Sequence, residues 1–264
     1  MSTNIHATAI VDTKAELGSN VEIGPFCIIG PNVVLKDGVT LMSNVTVDGH
    51  TEIGESTKIY PYSVLGMPPQ DFKYKGGPTR LIIGARNIIR EHATMHPGTE
   101  VGRGETRVGD DGFFMVGVHI AHDCIIGNHV ALANHVAVAG YAEVGDHVIS
   151  GGHTGVTQFT RVGRHAFLGG MALANADVIP YGFVTRNPAH LEGLNLVGLK
   201  RRGFARDVIR DMRTAYRLLF AEEGTFEERI ADVEKLYPSN DPVNEIIEFI
   251  RADKSKKLCM PHDR

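Results

Sequence analysis

From Ile5 to Leu65 every sixth residue is Ile, Leu or Val: Ile5, Val11, Leu17, Ile23, Ile29, Leu35, Leu41, Val47, Ile53, Ile59 and Leu65. The phase returns at Ile83, Ile89, Met95 and Val101 and then slips by one residue. It resumes at Val108, Phe114, Ile120, Ile126, Leu132, Val138, Val144, Ser150, Val156, Val162 and Leu168, with Ser150 as the polar exception. Hydrophobic residues are 42% of the chain, so eleven independent draws would all be apolar about once in 10⁴ trials. A helix repeats at about 3.6 residues and a half-buried strand at about 2, so neither produces this spacing. A hexapeptide repeat does, and it predicts a parallel β-helix. Each six residues supply one short strand and one turn, and three faces make an 18-residue rung. The apolar position points inward and rungs stack at roughly 4.8 Å.

Glycine often follows the apolar position, as at Gly18, Gly24, Gly30, Gly54, Gly109, Gly127, Gly145 and Gly163. Its backbone freedom would suit tight corners. The Pro- and Gly-rich stretch 66–80, GMPPQDFKYKGGPTR, breaks the pattern and should loop out of the coil. After about residue 185 the period ends, and Phe204, Val208, Met212, Ala215 and Leu219 follow helical spacing. TFEE at 225–228 reads as a capping box. In DPVNEIIEFI, Asp241 is expected as N-cap with Pro242 at N1. The predicted organisation is mainly β: a β-helix over 1–187, with the excursion at 66–80, and a C-terminal α-helical domain over 188–264.

Composition narrows the function classes. The 264 residues carry a net charge of −4, which argues against a nucleic-acid binder. No apolar run approaches the ~18 residues of a membrane helix, and MSTNIHATAIVD lacks the basic start and apolar stretch of a signal peptide. Cys27, Cys124 and Cys259 are scattered. They suggest neither a disulfide framework nor a CxxC metal knuckle, and a cytoplasmic location is expected.

The chemistry concentrates in HIAHDC, residues 119–124. With Ile120 inward, His119 and His122 are expected to face outward at or beside a corner. Adding 18 to His122 reaches Gly140, and 18 more reaches Gln158, so these should form one column; Asp123 then lies under Tyr141. An imidazole one rung from a bare glycine N–H suits acyl transfer, with a base for the nucleophile and a donor for the oxyanion. Asp123 would stabilise the imidazolium. Two other readings stay open: an ordinary surface cluster with a turn glycine, and a zinc site in which His96, His119 and His122 meet across a subunit boundary. Lys200, Arg201 and Arg202 are expected just before a helix N-terminus, where positive charge opposes the macrodipole. They are therefore better placed for an external anion, such as nucleotide phosphates or an acidic carrier protein, than as a helix stabiliser; the bland alternative is a solvated basic turn.

The segments PQDFKYKGGPTR (69–80), TMHPGT (94–99), HIAHDC (119–124), LANHVAVAGY (132–141) and NLVGLKRRGF (195–204), in this order, carry a specific resemblance. The chain resembles the bacterial UDP-N-acetylglucosamine O-acyltransferases of lipid A synthesis. The resemblance implies a left-handed β-helix and a homotrimer with active sites between subunits. It implies transfer of an (R)-3-hydroxyacyl chain from acyl carrier protein to the glucosamine 3-hydroxyl, with no cofactor beyond that thioester donor. By resemblance, His122 is the general base, Asp123 its partner and the Gly140 N–H the oxyanion donor. Gln70, Asp71 and Lys73 would meet the sugar and phosphates. His96, His119, Gln158 and Asn195 match further substrate contacts. Arg201 and Arg202 are expected at the substrate, and with Lys200 at the carrier protein. Gly170 matches the position that measures acyl-chain length, where a larger side chain would shorten the groove, and Met171 beside it would modulate this.

The chain also departs from the family. Tyr141, Thr157 and Pro188 stand where well-known members have histidine. Tyr141 adjoins the acceptor site, so a 3-amino sugar acceptor, giving an N-acyltransferase, stays open. So do a related hexapeptide N-acyltransferase of the same pathway, a metal hydratase of the γ-carbonic-anhydrase kind and a non-enzymatic scaffold.

Overall fold

The computed structural model describes residues 3–253 and 257–262. Among these, the chain winds as a left-handed parallel β-helix of triangular section. Face 1 begins with the strand Asn4–Ile5, face 2 with Ile10–Val11 and face 3 with Glu16–Leu17. Most strands are two residues long, and each pairs in parallel with the strand one rung above. His119 pairs with Ala137 and Ile120 with Val138, which is the expected 18-residue rung. The hexad residues Ile59, Leu65, Ile89, Met95, Ile120 and Val138 are fully buried.

Two rungs are longer, and their lengths explain the sequence phase. Leu65 pairs with Met95, 30 residues on, so 30 − 18 leaves a 12-residue insertion. Twelve is two hexads, and the phase survives. Met95 pairs with Ile120, 25 residues on, so 25 − 18 leaves seven. Seven is one hexad plus one, and it registers in the sequence as a one-residue slip. The second excursion, between strands Thr94–Met95 and Glu105–Val108, takes Val101 out of the core, where it is 65% exposed. The hexad count had placed it inside.

The glycine expectation also changes. The left-handed corner φ values belong mostly to other residues, such as Asp123 (+60°), His129 (+55°) and Tyr141 (+63°). The glycines after the hexad position serve close approach instead. A Cβ on Gly145 would lie 2.7 Å from the Arg164 nitrogen one rung up, and one on Gly109 would lie 2.7 Å from the Gly127 carbonyl carbon.

At the top, the strand Gly182–Thr185 joins face 1 and pairs antiparallel with His190–Leu194. Four helices follow: α1 Leu196–Arg201, α2 Arg206–Leu219, α3 Phe226–Leu236 and α4 Asp241–Ala252. In α2, Ile209, Met212, Ala215 and Leu219 are buried. The Thr225 capping box forms as expected. The N-cap of α4 is Asn240, not Asp241; its side chain accepts from the Val243 N–H, and Asp241 and Pro242 fall in the first turn. Asn240 has the extended backbone a cap needs, one residue earlier than the Pro rule suggested. The basic triad is corrected too. Lys200 and Arg201 occupy the last turn of α1 and Arg202 its C-cap, where positive charge complements the macrodipole. Their position therefore gives no argument for an external anion.

Neighbouring isoleucines test the inward–outward assignment. Ile126 is 2% exposed and Ile125, on the charged outer side of face 3, is 40% exposed. Ile126→Ala is expected to destabilise by roughly 2–5 kcal/mol and Ile125→Ala by no more than about 0.5 kcal/mol. Paired urea unfolding midpoints read the difference.

Candidate active site

Both insertions and HIAHDC leave the coil at the same corner, between faces 2 and 3. The segments 66–79, 96–104, 121–124, 139–142 and 157–160 each connect a face 2 strand to a face 3 strand in successive rungs. Residues far apart in sequence thus converge on one edge.

At its centre His122 Nδ1 lies 2.9 Å from Asp123 Oδ2. His122 is 5% exposed and Asp123 fully buried. The histidine sits at the corner, as expected, but it is nearly buried with the Tyr141 ring beside it, so it is not the open surface residue the register alone implies. The carboxylate is held by further donors. The Thr99 N–H reaches both oxygens at 3.1 Å, the Thr99 hydroxyl reaches Oδ2 at 2.7 Å and the Arg103 N–H reaches Oδ1 at 2.6 Å. The Arg103 guanidinium donates to the Asp123 carbonyl and pairs with Glu143.

Gly140 sits one rung above His122. A Cβ there would lie 2.7 Å from His122 Cε1 and Nε2, so only glycine leaves the ring its place. The Gly140 N–H donates to no acceptor among the described residues. Tyr141 donates its N–H to the His122 carbonyl at 3.0 Å, and its ring stands edge-on to the imidazole at 5.3 Å. Its other face stacks on Phe159 at 4.7 Å, and its hydroxyl is 3.3 Å from the Thr99 hydroxyl. Gln158, in the Gly140 column, is exposed.

His119 lies on face 2, its Nδ1 2.8 Å from the Thr94 hydroxyl. His96 packs edge-on against it at 5.1 Å, and His96 Nδ1 is buried without a partner. Burial, then the neighbouring His119 and His122, pushes His96 down to about 4; burial and His122 lower His119 as well. Both rings are neutral near pH 7. Among the described residues no three His, Cys, Asp or Glu side chains are grouped to hold a metal ion within one chain. On the long excursion, Asp71 accepts the Lys73 N–H at 2.9 Å, Gln70 is exposed and Phe72 projects fully into solvent. Glu100 accepts the backbone N–H groups of Lys75 and Gly77, which ties this loop to the second excursion.

The remaining expected residues lie elsewhere in the single chain. Asn195 is the N-cap of α1: it accepts from the Gly198 N–H and donates to the His165 carbonyl, both at 3.0 Å. With Arg201 and Arg202 it borders a cleft of about 570 Å³ on face 1, walled by Ile149, Phe167 and Phe183. Arg202 donates to the His147 carbonyl. Gly170 and Met171 sit at the corner between faces 1 and 2, both exposed; a Cβ on Gly170 would meet only ordinary contacts, at 3.5 Å or more. Sequence reasoning missed Thr99, Glu100 and Arg103. Their traces were the one-residue slip in the hexad phase and, for Thr99, the end of the TMHPGT segment.

Two buried histidines also predict a pH response. His165 is pushed down to about 4 by burial, then by His147 and by Arg202 and Arg164, and His96 behaves alike. The unfolded chain takes up these protons near ~6.5, the folded chain only near 4. Between those values the unfolded state binds more protons, so stability falls as pH drops from about 6.5 towards 4. The thermal midpoint is expected to decline over that window, and less steeply in His165→Asn.

The comparisons with known proteins identify the family. Residues 177–259 match the family model "Udp N-acetylglucosamine O-acyltransferase; Domain 2". An acyl-[acyl-carrier-protein]--UDP-N-acetylglucosamine O-acyltransferase of Caulobacter vibrioides is 55% identical over 98% of each chain. The namesake from Thermodesulfovibrio yellowstonii is 45% identical over 97% of this chain and 98% of its own. The crystal structure of the UDP-N-acetylglucosamine O-acyltransferase of Moraxella catarrhalis is 39% identical, covers 98% of this chain and 99% of its own, and superposes with a TM-score of 0.92. Near-complete coverage at such identity, on a fold derived independently from the hexad period, leaves one conclusion: the chain belongs to the UDP-N-acetylglucosamine O-acyltransferase family.

Proposed function

We propose that this chain transfers a 3-hydroxyacyl group from acyl carrier protein to the glucosamine 3-hydroxyl of UDP-N-acetylglucosamine, the first step of lipid A synthesis, with His122 as general base. The observation that carries this is the buried His122–Asp123 pair facing an open Gly140 N–H. His122 Nε2 takes the sugar hydroxyl proton as the oxygen attacks the thioester carbonyl. The Gly140 N–H receives the oxyanion. Collapse expels the carrier thiolate, which recovers the proton from the imidazolium. Asp123 holds Nδ1–H and so keeps Nε2 free to accept. Gln70, Asp71 and Lys73 lie on the loop that leaves the coil at the same corner, and His96 and His119 line the adjoining edge of face 2 as the further substrate contacts.

The homotrimer belongs to this proposal. Outward residues on the upper part of face 1 are apolar (Ile149, Phe167, Phe183), and those on face 2 are small or apolar (Ala137, Gly155, Leu173), whereas face 3 presents Arg107, Glu143 and Arg161. Packing face 1 of each copy on face 2 of the next is a heterologous contact, which with a three-fold rotation between copies would close as a trimeric ring. It would set the Arg201–Arg202 cleft against face 2, between His122 and Gly170, and give the acyl chain a covered path. Lys200 and Arg201, both exposed, would then meet the acidic carrier protein, while Arg202 walls the cleft. No described helix is long and apolar enough to cross a membrane, and three buried free cysteines fit a reducing cytoplasm.

The test is an acceptor competition. The protein receives 3-hydroxyacyl carrier protein with UDP-N-acetylglucosamine and its 3-amino analogue, and products are weighed by mass spectrometry. An ester on UDP-N-acetylglucosamine is expected. An amide alone would make this an N-acyltransferase, with Tyr141 the first residue to exchange; no acyl product would overturn the reading.

A further inference from the structure

The excursion at 96–104, which makes its rung seven residues longer than the regular 18, has no counterpart in the hexad fold, yet it closes on Asp123. The Thr99 N–H, the Thr99 hydroxyl and the Arg103 N–H all end on that carboxylate. The excursion is itself wound around Thr99: the N–H groups of Gly102 and Gly104 both donate to the Thr99 carbonyl at 3.1 Å. Gly102 approaches so closely that a Cβ there would stand 2.6 Å from Asp123 Oδ2. Thr99 is fully buried, and its hydroxyl shares Asp123 Oδ2 with His122 Nδ1.

The arrangement does something the coil cannot. Asp123 occupies a left-handed corner, and the corner fixes its Cα but leaves the carboxylate free to rotate. Donors on both oxygens remove that freedom and turn Oδ2 toward Nδ1. The Thr99 hydroxyl also reaches the Tyr141 hydroxyl, so the same side chain meets the ring that flanks the imidazole. The next residue faces the other way. Glu100 is exposed and binds the backbone of the substrate loop at Lys75 and Gly77.

We propose that Thr99 is a positioning residue for the acyl transfer, acting through Asp123 on His122, while its neighbour Glu100 positions the loop that binds the sugar nucleotide. This rests on His122 being the general base. It divides one short excursion between two kinetic parameters: Thr99 governs the proton-transfer geometry, and Glu100 governs substrate capture.

The experiment compares Thr99→Val, Thr99→Ser and Glu100→Ala in the full-length protein, with kcat, both KM values and the thermal midpoint measured for each. Thr99→Val keeps the shape and removes the hydroxyl. Because misplacing a reacting group by about 1 Å can lower rates ~10²-fold, kcat should fall about 10- to 100-fold with both KM values unchanged and the midpoint lowered by only a few degrees, since the Thr99 and Arg103 N–H groups still hold the carboxylate. Thr99→Ser restores the hydroxyl and should recover most of kcat. Glu100→Ala should raise the UDP-N-acetylglucosamine KM several-fold with kcat retained. In an Asp123→Ala background, Thr99→Val should have no further effect, since the group it holds is gone. A wild-type kcat in Thr99→Val, or an undiminished effect in that background, would overturn the proposal. His122→Ala separates the two levels. If it stays active, the general-base reading has failed; if it is inactive while Thr99→Val behaves as wild type, only the positioning role has.

Discussion

His122→Ala is expected to lower kcat by at least 10²-fold and up to about 10⁴-fold, the range attributed to general-base catalysis. Nδ1 of the ring is committed to Asp123, which leaves Nε2 beside Gly140 as the acceptor. Removing it leaves no acceptor for the attacking hydroxyl's proton. The fold should persist. Asp123 keeps its Thr99 and Arg103 donors after the imidazole is gone, so no buried carboxylate is stranded. Steady-state kinetics beside the thermal midpoint and the oligomeric mass are the measurements. Turnover within a few-fold of wild type would remove His122 from the mechanism.

Gly140→Ala is expected to reduce kcat by about 10²-fold, although it adds a single methyl group and retains the N–H. The added carbon would come within 2.7 Å of both Cε1 and Nε2, so the imidazole must swing away from its working position. Displacements of about 1 Å at a reacting centre carry rate losses of this size. Stability should change little, because the obstructing atoms belong to the end of a side chain rather than to backbone. The same exchange at Gly145 faces the Arg164 backbone nitrogen instead, and should destabilise the coil without that selectivity for kcat. Measuring both variants side by side separates a steric effect on the imidazole from general damage to rung stacking. A Gly140→Ala enzyme with wild-type kcat would mean that the His122 ring does not need the position it occupies.

The hexad register located most of the edge in advance. His122 under Gly140, Asp123 under Tyr141 and Gln158 above them follow from adding 18 twice, and the strand pairing realises that count. The long loop was visible for the same reason, as an interruption of a period. The short excursion was nearly silent because seven residues differ from a hexad by one. The basic triad and the Asn240 cap were misplaced because helix boundaries depend on which side chain captures a free N–H, a choice that local composition leaves open between neighbours.

The hexapeptide period by itself determined the triangular coil, its rung length, most of its buried residues and the column in which His122 and Gly140 meet. It could do so because parallel in-register stacking makes position in space a linear function of position in sequence. Only the tertiary structure decided that both insertions leave at one corner, that Thr99 and Arg103 close on Asp123, and that His122 is covered. Those contacts join residues separated by 20 to 42 positions through loops that obey no period, so no repeat in the sequence could announce them.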